Sequence, residues 1–166
     1  MKKAIITGTF DPITRGHTDV VRTAAAIFDE VYVCVLNNAK KHTMFTDSER
    51  LSIVSRAVDE MRRDGITNVI AEAWSGLTSD YMRERGITHI VKGVRNPTDF
   101  DYEYGMAQIM KKFLPGCETL FVPSLPEHIH ISSTFVREII VYGGPLEDAV
   151  PDGVADMIRE LHNKHN

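Results

Sequence analysis

Apolar residues follow two rhythms along this chain. Runs that are apolar at nearly every position, Ala4-Ile5-Ile6 and Val31-Tyr32-Val33-Cys34-Val35-Leu36, read as strands buried on both faces. Between them Val20, Val21, Ala24, Ile27 and Phe28 recur at helical spacing, predicting a helix from His17 to Phe28. The alternation continues down the chain. Thr46-Asp47-Ser48-Glu49 forms a capping box ahead of Leu51, Val54, Val58 and Met61, and Gly65 stops that second helix. A third strand is predicted from Val69, a short helix over Gly76 to Arg85, and a fourth strand over Thr88 to Lys92. A longer helix is expected from Asp99 to Leu114, closed by Pro115-Gly116, and a fifth strand over Thr119 to Val122. A serine of Ser132-Ser133-Thr134 caps a helix to Tyr142, and a last helix covers Pro151 to Asn163.

Strands alternating with helices in this way predict the α/β class: a doubly wound, five-stranded parallel sheet with right-handed crossovers and C-terminal helices. No internal repeat, low-complexity tract or linker interrupts the pattern, so residues 1–166 are expected to form a single domain.

Composition narrows the function classes. The chain has 166 residues, 43% hydrophobic and 25% charged, as in ordinary globular proteins. A net charge of −4 argues against a general nucleic-acid binder. Cys34 and Cys117 are the two cysteines, without a Cys-x-x-Cys pattern, so neither a disulfide framework nor a zinc site is indicated. No apolar run reaches membrane-spanning length and the start lacks a signal-peptide core, so a reducing cytoplasm is the expected setting.

The stretch Gly8-Thr9-Phe10-Asp11-Pro12-Ile13-Thr14-Arg15-Gly16-His17 joins the first strand to the first helix. It ends in a helix start, where free backbone N–H groups attract anions and an imidazole can donate to a phosphate oxygen. In an open parallel sheet, ligands bind beyond the carboxyl ends of the strands. The residues expected there are Thr9, Phe10 and His17; Lys40 and Lys41; Ser75, Leu77 and Thr78; Lys92, Gly93 and Arg95; then His128, His130, Ser132, Ser133, Thr134 and Arg137. Cations, hydroxyls, glycines and helix starts make a phosphate-binding inventory. The Walker, dinucleotide and nucleophile-elbow motifs are absent, which points to in-line transfer between bound phosphates.

Thr14-Arg15-Gly16-His17 together with Ile131-Ser132-Ser133-Thr134-x-x-Arg137 resembles the nucleotidyltransferase superfamily, with its (H/T)-x-G-H and I-S-S-T-x-x-R signatures. More narrowly, Lys41, Met44-Phe45-Thr46, Lys92-Gly93-Val94-Arg95 and Asp99-Phe100-Asp101-Tyr102-Glu103 resemble the bacterial phosphopantetheine adenylyltransferase family. The resemblance implies a Rossmann-like nucleotidyltransferase fold. It implies transfer of an adenylyl group from ATP to 4′-phosphopantetheine, giving dephospho-coenzyme A and pyrophosphate without a covalent intermediate.

By the same resemblance, His17 stabilises the transition state with Lys41 and Arg95. Thr9, Lys41, Thr78 and Lys92 hold phosphopantetheine. Thr9, Phe10, His17, Gly93, Val94, Arg95, Glu103, His128, Ile129, His130, Ile131, Ser132, Ser133 and Thr134 hold ATP. Mg²⁺ arrives with the nucleotide rather than on protein side chains. A homohexamer and coenzyme A as a feedback ligand are also implied, with no nucleic-acid or membrane partner.

Three positions depart from the family pattern. Lys92 stands where many members carry arginine, Thr78 replaces a more apolar residue, and His128-Ile129-His130 replaces an aromatic-rich segment. Two rival functions stay open: adenylyl or cytidylyl transfer to another phosphate acceptor, such as nicotinamide mononucleotide or glycerol phosphate, and a non-catalytic nucleotide sensor. His128 and His130 are spaced like a metal pair but lack a third ligand in view. His162 and His165 are expected to be frayed and exposed. Trp74 and Tyr81 read either as lining for the pantetheine arm or as core, and Met106 and Met110 as core or subunit contacts.

Overall fold

The computed structural model describes residues 1–37 and 42–165, so Lys40 and Lys41 lie outside the described residues. Five strands, β1 (Lys3–Gly8), β2 (Glu30–Leu36), β3 (Val69–Trp74), β4 (His89–Val94) and β5 (Glu118–Pro123), form one sheet in the order β3-β2-β1-β4-β5. Every neighbouring pair is parallel. The helices between and after them are α1 (Arg15–Ala25), α2 (Asp47–Arg63), α3 (Thr78–Arg85), α4 (Pro97–Phe113), α5 (Ser133–Val141) and α6 (Asp152–His165). The α/β, doubly wound five-stranded expectation therefore holds.

Side chains alternate across a strand, so successive residues must be covered from opposite sides. Ala4, Ile6, Val31, Val33, Val35 and Val91 pack with apolar residues of α1, α2, α5 and α6. Ile5, Tyr32, Cys34 and Ile90 pack with Tyr81 and Met82 of α3 and with Met110 of α4. This two-sided burial explains why the central strands are apolar at nearly every position. Cys34 sits fully buried, and burial pushes its thiol up to about 12, so it acts as a small core residue. Tyr81 is core as well, with Trp74 packed edge-on against it at 5.4 Å.

Several boundaries differ from the sequence expectation, each for a local reason. α1 begins at Arg15 because extended Thr14 is its cap and His17 is already the third helical residue. α4 begins at Pro97, not Asp99, because the Asn96 side chain caps it and proline suits the first turn. α3 starts only at Thr78, since Gly76 takes a φ of 138° that no helix uses. The last helix runs to His165, whose Nε2 lies 2.9 Å from Glu49 Oε1; that residue is helical and partnered rather than frayed. No described helix is long and apolar enough to cross a membrane.

Chain progression moves from β1 outward to β3 and then returns past β1 to β4. The reversal between β1 and β4 leaves a crevice at their carboxyl ends, and the candidate site sits in it.

Candidate active site

A cavity of about 600 Å³ opens at that crevice, a size suited to a small-molecule ligand. Three helix starts border it. Thr14 caps α1, Asn96 caps α4 and Ser132 caps α5, and Thr14, Thr98, Asp99, Ser132, Ser133 and Thr134 line the wall. Each start brings the positive end of its helix to the wall, which favours an anion.

His17 is fixed at the centre of this wall. Its Nδ1 accepts the backbone N–H of Thr14 at 3.0 Å, while its own backbone N–H donates to Thr14 Oγ1 at 3.4 Å. A backbone N–H can only donate, so Nδ1 carries the lone pair and the proton of the neutral ring sits on Nε2. Burial, then the charges of Arg95 and Lys92, lowers the imidazole from its ordinary 6.5 to about 4. His17 is thus a neutral imidazole at pH 7, offering Nε2–H as a donor.

The ring rests on Phe10, edge to face at 5.2 Å. Phe10 is buried and holds a φ of 48°, a left-handed conformation uncommon for a residue with a side chain. Its ring lies over Gly8, where a Cβ would sit 3.0 Å from Phe10 Cζ. Gly93 serves a similar purpose on β4: a Cβ there would come within 2.8 Å of Val20 Cγ2, so only glycine lets α1 lie this close. The structural demands at these two glycines are therefore local packing, whatever ligand the cavity takes.

Long-range ties hold the turn Thr9–Pro12 in place. The Asp11 carboxylate accepts the N–H groups of Met44 at 2.9 Å and Phe45 at 3.0 Å. Arg50, 1% exposed, donates to the carbonyls of Thr9 at 2.6 Å and Leu36 at 3.2 Å and pairs with Asp47. Ser133 Oγ donates to the Pro12 carbonyl at 2.8 Å, and Arg137 to that of Asp11 at 2.7 Å. The second signature segment thus touches the turn that leads into the first.

Of the residues expected at the site, His17, Lys92, Gly93, Arg95, Glu103, His128, Ile131, Ser132, Ser133 and Thr134 lie on the cavity wall. Thr9, Phe10, Val94, Ile129 and His130 are not among the wall residues, and Thr78 opens α3 beyond β3, two strands from β1. Lys41 falls outside the described residues.

The wall cations are already engaged. Lys92 Nζ lies 3.4 Å from Glu103 Oε2, and Arg95 Nε donates to Asp99 Oδ2 at 2.8 Å, which holds the Asp99 carboxyl below its usual value. Asp99 and Glu103 are the carboxylates on the described wall, so a divalent cation would compete there with Lys92 and Arg95. Such a donor set suits a cation that enters on ligand phosphates. Among the described residues no group of three or more His, Cys, Asp and Glu side chains is placed to hold a metal.

Sequence reasoning did not single out Asp11, Asp19, Arg50, Thr98 or Ser124, or Thr14 as the group that orients His17. The capping pattern could have found the last of these. Asp11, Asp19 and Arg50 have partners far along the chain, which no periodicity marks, and Thr98 and Ser124 reach the wall only through the fold.

A cytidylyltransferase-like family model matches residues 5–139. A phosphopantetheine adenylyltransferase of Frankia alni is 45% identical over 96% of this chain and 98% of its own length. The enzyme of that name from Streptomyces coelicolor is 41% identical over 99% of this chain and all of its own, and that from Clostridium tetani 38% identical over the same shares. A solved Vibrio parahaemolyticus structure, described as a candidate nicotinate-nucleotide adenylyltransferase, superposes with a TM-score of 0.70 over 96% of this chain and 97% of that one. At 18% identity, that likeness speaks to the fold alone. With both signatures meeting at one cavity and close relatives aligned end to end, the chain belongs to the phosphopantetheine adenylyltransferase family of nucleotidyltransferases.

Proposed function

We propose that the chain transfers the adenylyl group of ATP to 4′-phosphopantetheine, releasing dephospho-coenzyme A and pyrophosphate. One observation carries the reading within the family: a neutral, tautomer-fixed imidazole among three helix starts in a cavity with Lys92 and Arg95 on its wall.

An acceptor phosphate oxygen attacks the α-phosphorus of ATP in line. The new P–O bond forms as the bond to the β-phosphate oxygen breaks, and pyrophosphate leaves with that electron pair. A phosphate monoester is largely dianionic at neutral pH, its second pKa being about 6, so no side chain has to remove a proton. The protein's task is to bring one anion onto another and to meet charge growing on the α-phosphate. His17 Nε2–H and the α1 start supply donors, with Lys41 and Arg95 as further positive groups. Thr9, Lys41, Thr78 and Lys92 hold the acceptor. Phe10, Gly93 to Arg95, Glu103 and 128–134 surround the nucleotide. Mg²⁺, carried by the triphosphate, would neutralise the leaving pyrophosphate.

A homohexamer, feedback by coenzyme A and a cytoplasmic setting complete the proposal. The first is supported by α4, which exposes Phe100, Tyr104, Met106, Ile109 and Phe113 and buries only Ala107. Transfer to nicotinamide mononucleotide or glycerol phosphate, and nucleotide sensing without catalysis, are the competing readings. Pyrophosphate release with ATP and each acceptor in turn decides among them. Turnover with phosphopantetheine well above the other two is expected. Turnover on another acceptor, or ATP binding with none, overturns the proposal.

A further inference from the structure

Two imidazoles line the cavity, and their Nδ1 atoms do opposite things. That of His17 accepts from Thr14. That of His128 lies 2.5 Å from Asp19 Oδ2, and because a carboxylate only accepts, His128 donates there. Asp19 stands on α1, two residues beyond His17, while His128 closes the 3₁₀ turn Pro126–His128. The His128 and Asp19 side chains are 20% and 19% exposed, so solvent weakens the contact only in part.

The turn needs such a fastening. Between β5 and α5 the Ser124 N–H still reaches the Val94 carbonyl, but from Leu125 on the bonds His128 N–H to Leu125 and Ile131 N–H to His128 stay inside the segment. Leu125 and Ile129 point outward, 44% and 48% exposed. The His128 carbonyl comes within 3.9 Å of the place a Cβ on Gly16 would occupy, so the turn rests against the first turn of α1. His128 also borders a second, polar cleft of about 310 Å³ between α1, α2 and α6, which Asp19 lines too. His128 therefore stands between two open spaces, where an unfastened turn has room to move.

We infer that Asp19 is a positioning residue for the nucleotide. It holds the turn that leads into the Ser132 cap, and it assigns the His128 ring proton to Nδ1, leaving Nε2 as the ring atom open to a ligand. The inference rests on the adenylyl-transfer reading, because that reading makes 128–134 a nucleotide wall. The effect should fall on ATP and spare the acceptor, whose expected contacts lie elsewhere.

The test is steady-state kinetics of Asp19→Ala and Asp19→Asn in the full-length protein, with thermal unfolding as a check on folding. Asp19→Ala should raise the KM for ATP about tenfold, as loss of one charge-assisted hydrogen bond gives. Its kcat should stay within about threefold, and the KM for phosphopantetheine should not move. Asn keeps an acceptor oxygen, so Asp19→Asn should return most of the loss. In a His128→Ala background, Asp19→Ala should add less than about twofold, because its partner is already gone. Should Asp19→Ala fail to fold, Asp19→Ser, whose shorter side chain stays polar but falls short of His128, reads the same tie. An unchanged ATP KM, equal weakening of both substrates, or additive effects of the two substitutions overturn the inference. If transfer itself is absent, titration calorimetry with ATP alone reads the same weakening, which separates this failure from failure of the proposed activity.

Discussion

The backbone N–H of Thr14 points at Nδ1 of His17 across 3.0 Å, and that single bond decides which end of the imidazole can meet a ligand. Mutation of a side chain does not remove a backbone donor, so the tautomer is built into the cap of α1. A protonated ring would turn Nδ1 into a second donor facing the Thr14 N–H. The neighbouring Arg95 and Lys92 charges oppose protonation as well, in addition to burial.

These facts predict how pH acts. With His17 held to about 4 in the folded chain, against 6.5 ordinarily, turnover should show no His17 ionisation between roughly pH 5 and 8. Stability follows from linkage. Between those two values the unfolded chain binds a proton that the folded chain does not, so His17 lowers stability as pH falls from about 6.5 towards 4 and contributes nothing above. Urea unfolding at pH 5 and 7.5 should show this slope in the wild type and a shallower one in His17→Gln. A kcat limb near pH 6.5 that vanishes in His17→Gln would contradict the neutral ring.

Gly93→Ala tests the packing of α1 on β4. The added Cβ would lie 2.8 Å from Val20 Cγ2, and crowding of this kind costs about 1–3 kcal/mol. Chemical denaturation should show that loss. In a Val20→Ala background the same substitution should cost under about 0.5 kcal/mol.

Asp11→Asn leaves one oxygen where two accept, and sets an amide NH₂ against the N–H of Met44 or Phe45. The expected loss is about 1–3 kcal/mol in the same assay. A neutral result would mean that the turn holds without Asp11.

Lys41→Ala should raise the KM for phosphopantetheine, or lower turnover, more than it weakens ATP binding, as its assignment to the acceptor requires. Equal weakening of both ligands by calorimetry would count against that assignment.

How much of this was legible in the sequence depends on how far apart the partners lie. Strands β1 and β2 could be read because burial on both faces leaves Val31 to Leu36 apolar at every step. Caps were legible where the capping residue and its target are three apart, as at Thr46 and Glu49. The crevice was legible as a consequence of strand alternation, and ten candidate residues do reach its wall. What stayed hidden was the polar scaffolding: Asp19 with His128, 109 residues apart, and Arg50 with the carbonyl of Thr9, 41 apart. Such pairs follow no period, and Asp19 or Arg50 read alone resembles an ordinary surface charge.

The central claim is that the fixed Nε2–H of His17 meets charge developing on the transferred phosphate. Pyrophosphate release by wild type and His17→Ala, assayed side by side with ATP and phosphopantetheine, tests it most directly. Turnover should fall at least about a hundredfold in a variant that still folds and binds ATP, as loss of one oriented donor gives. Undiminished turnover in His17→Ala would remove His17 from the chemistry.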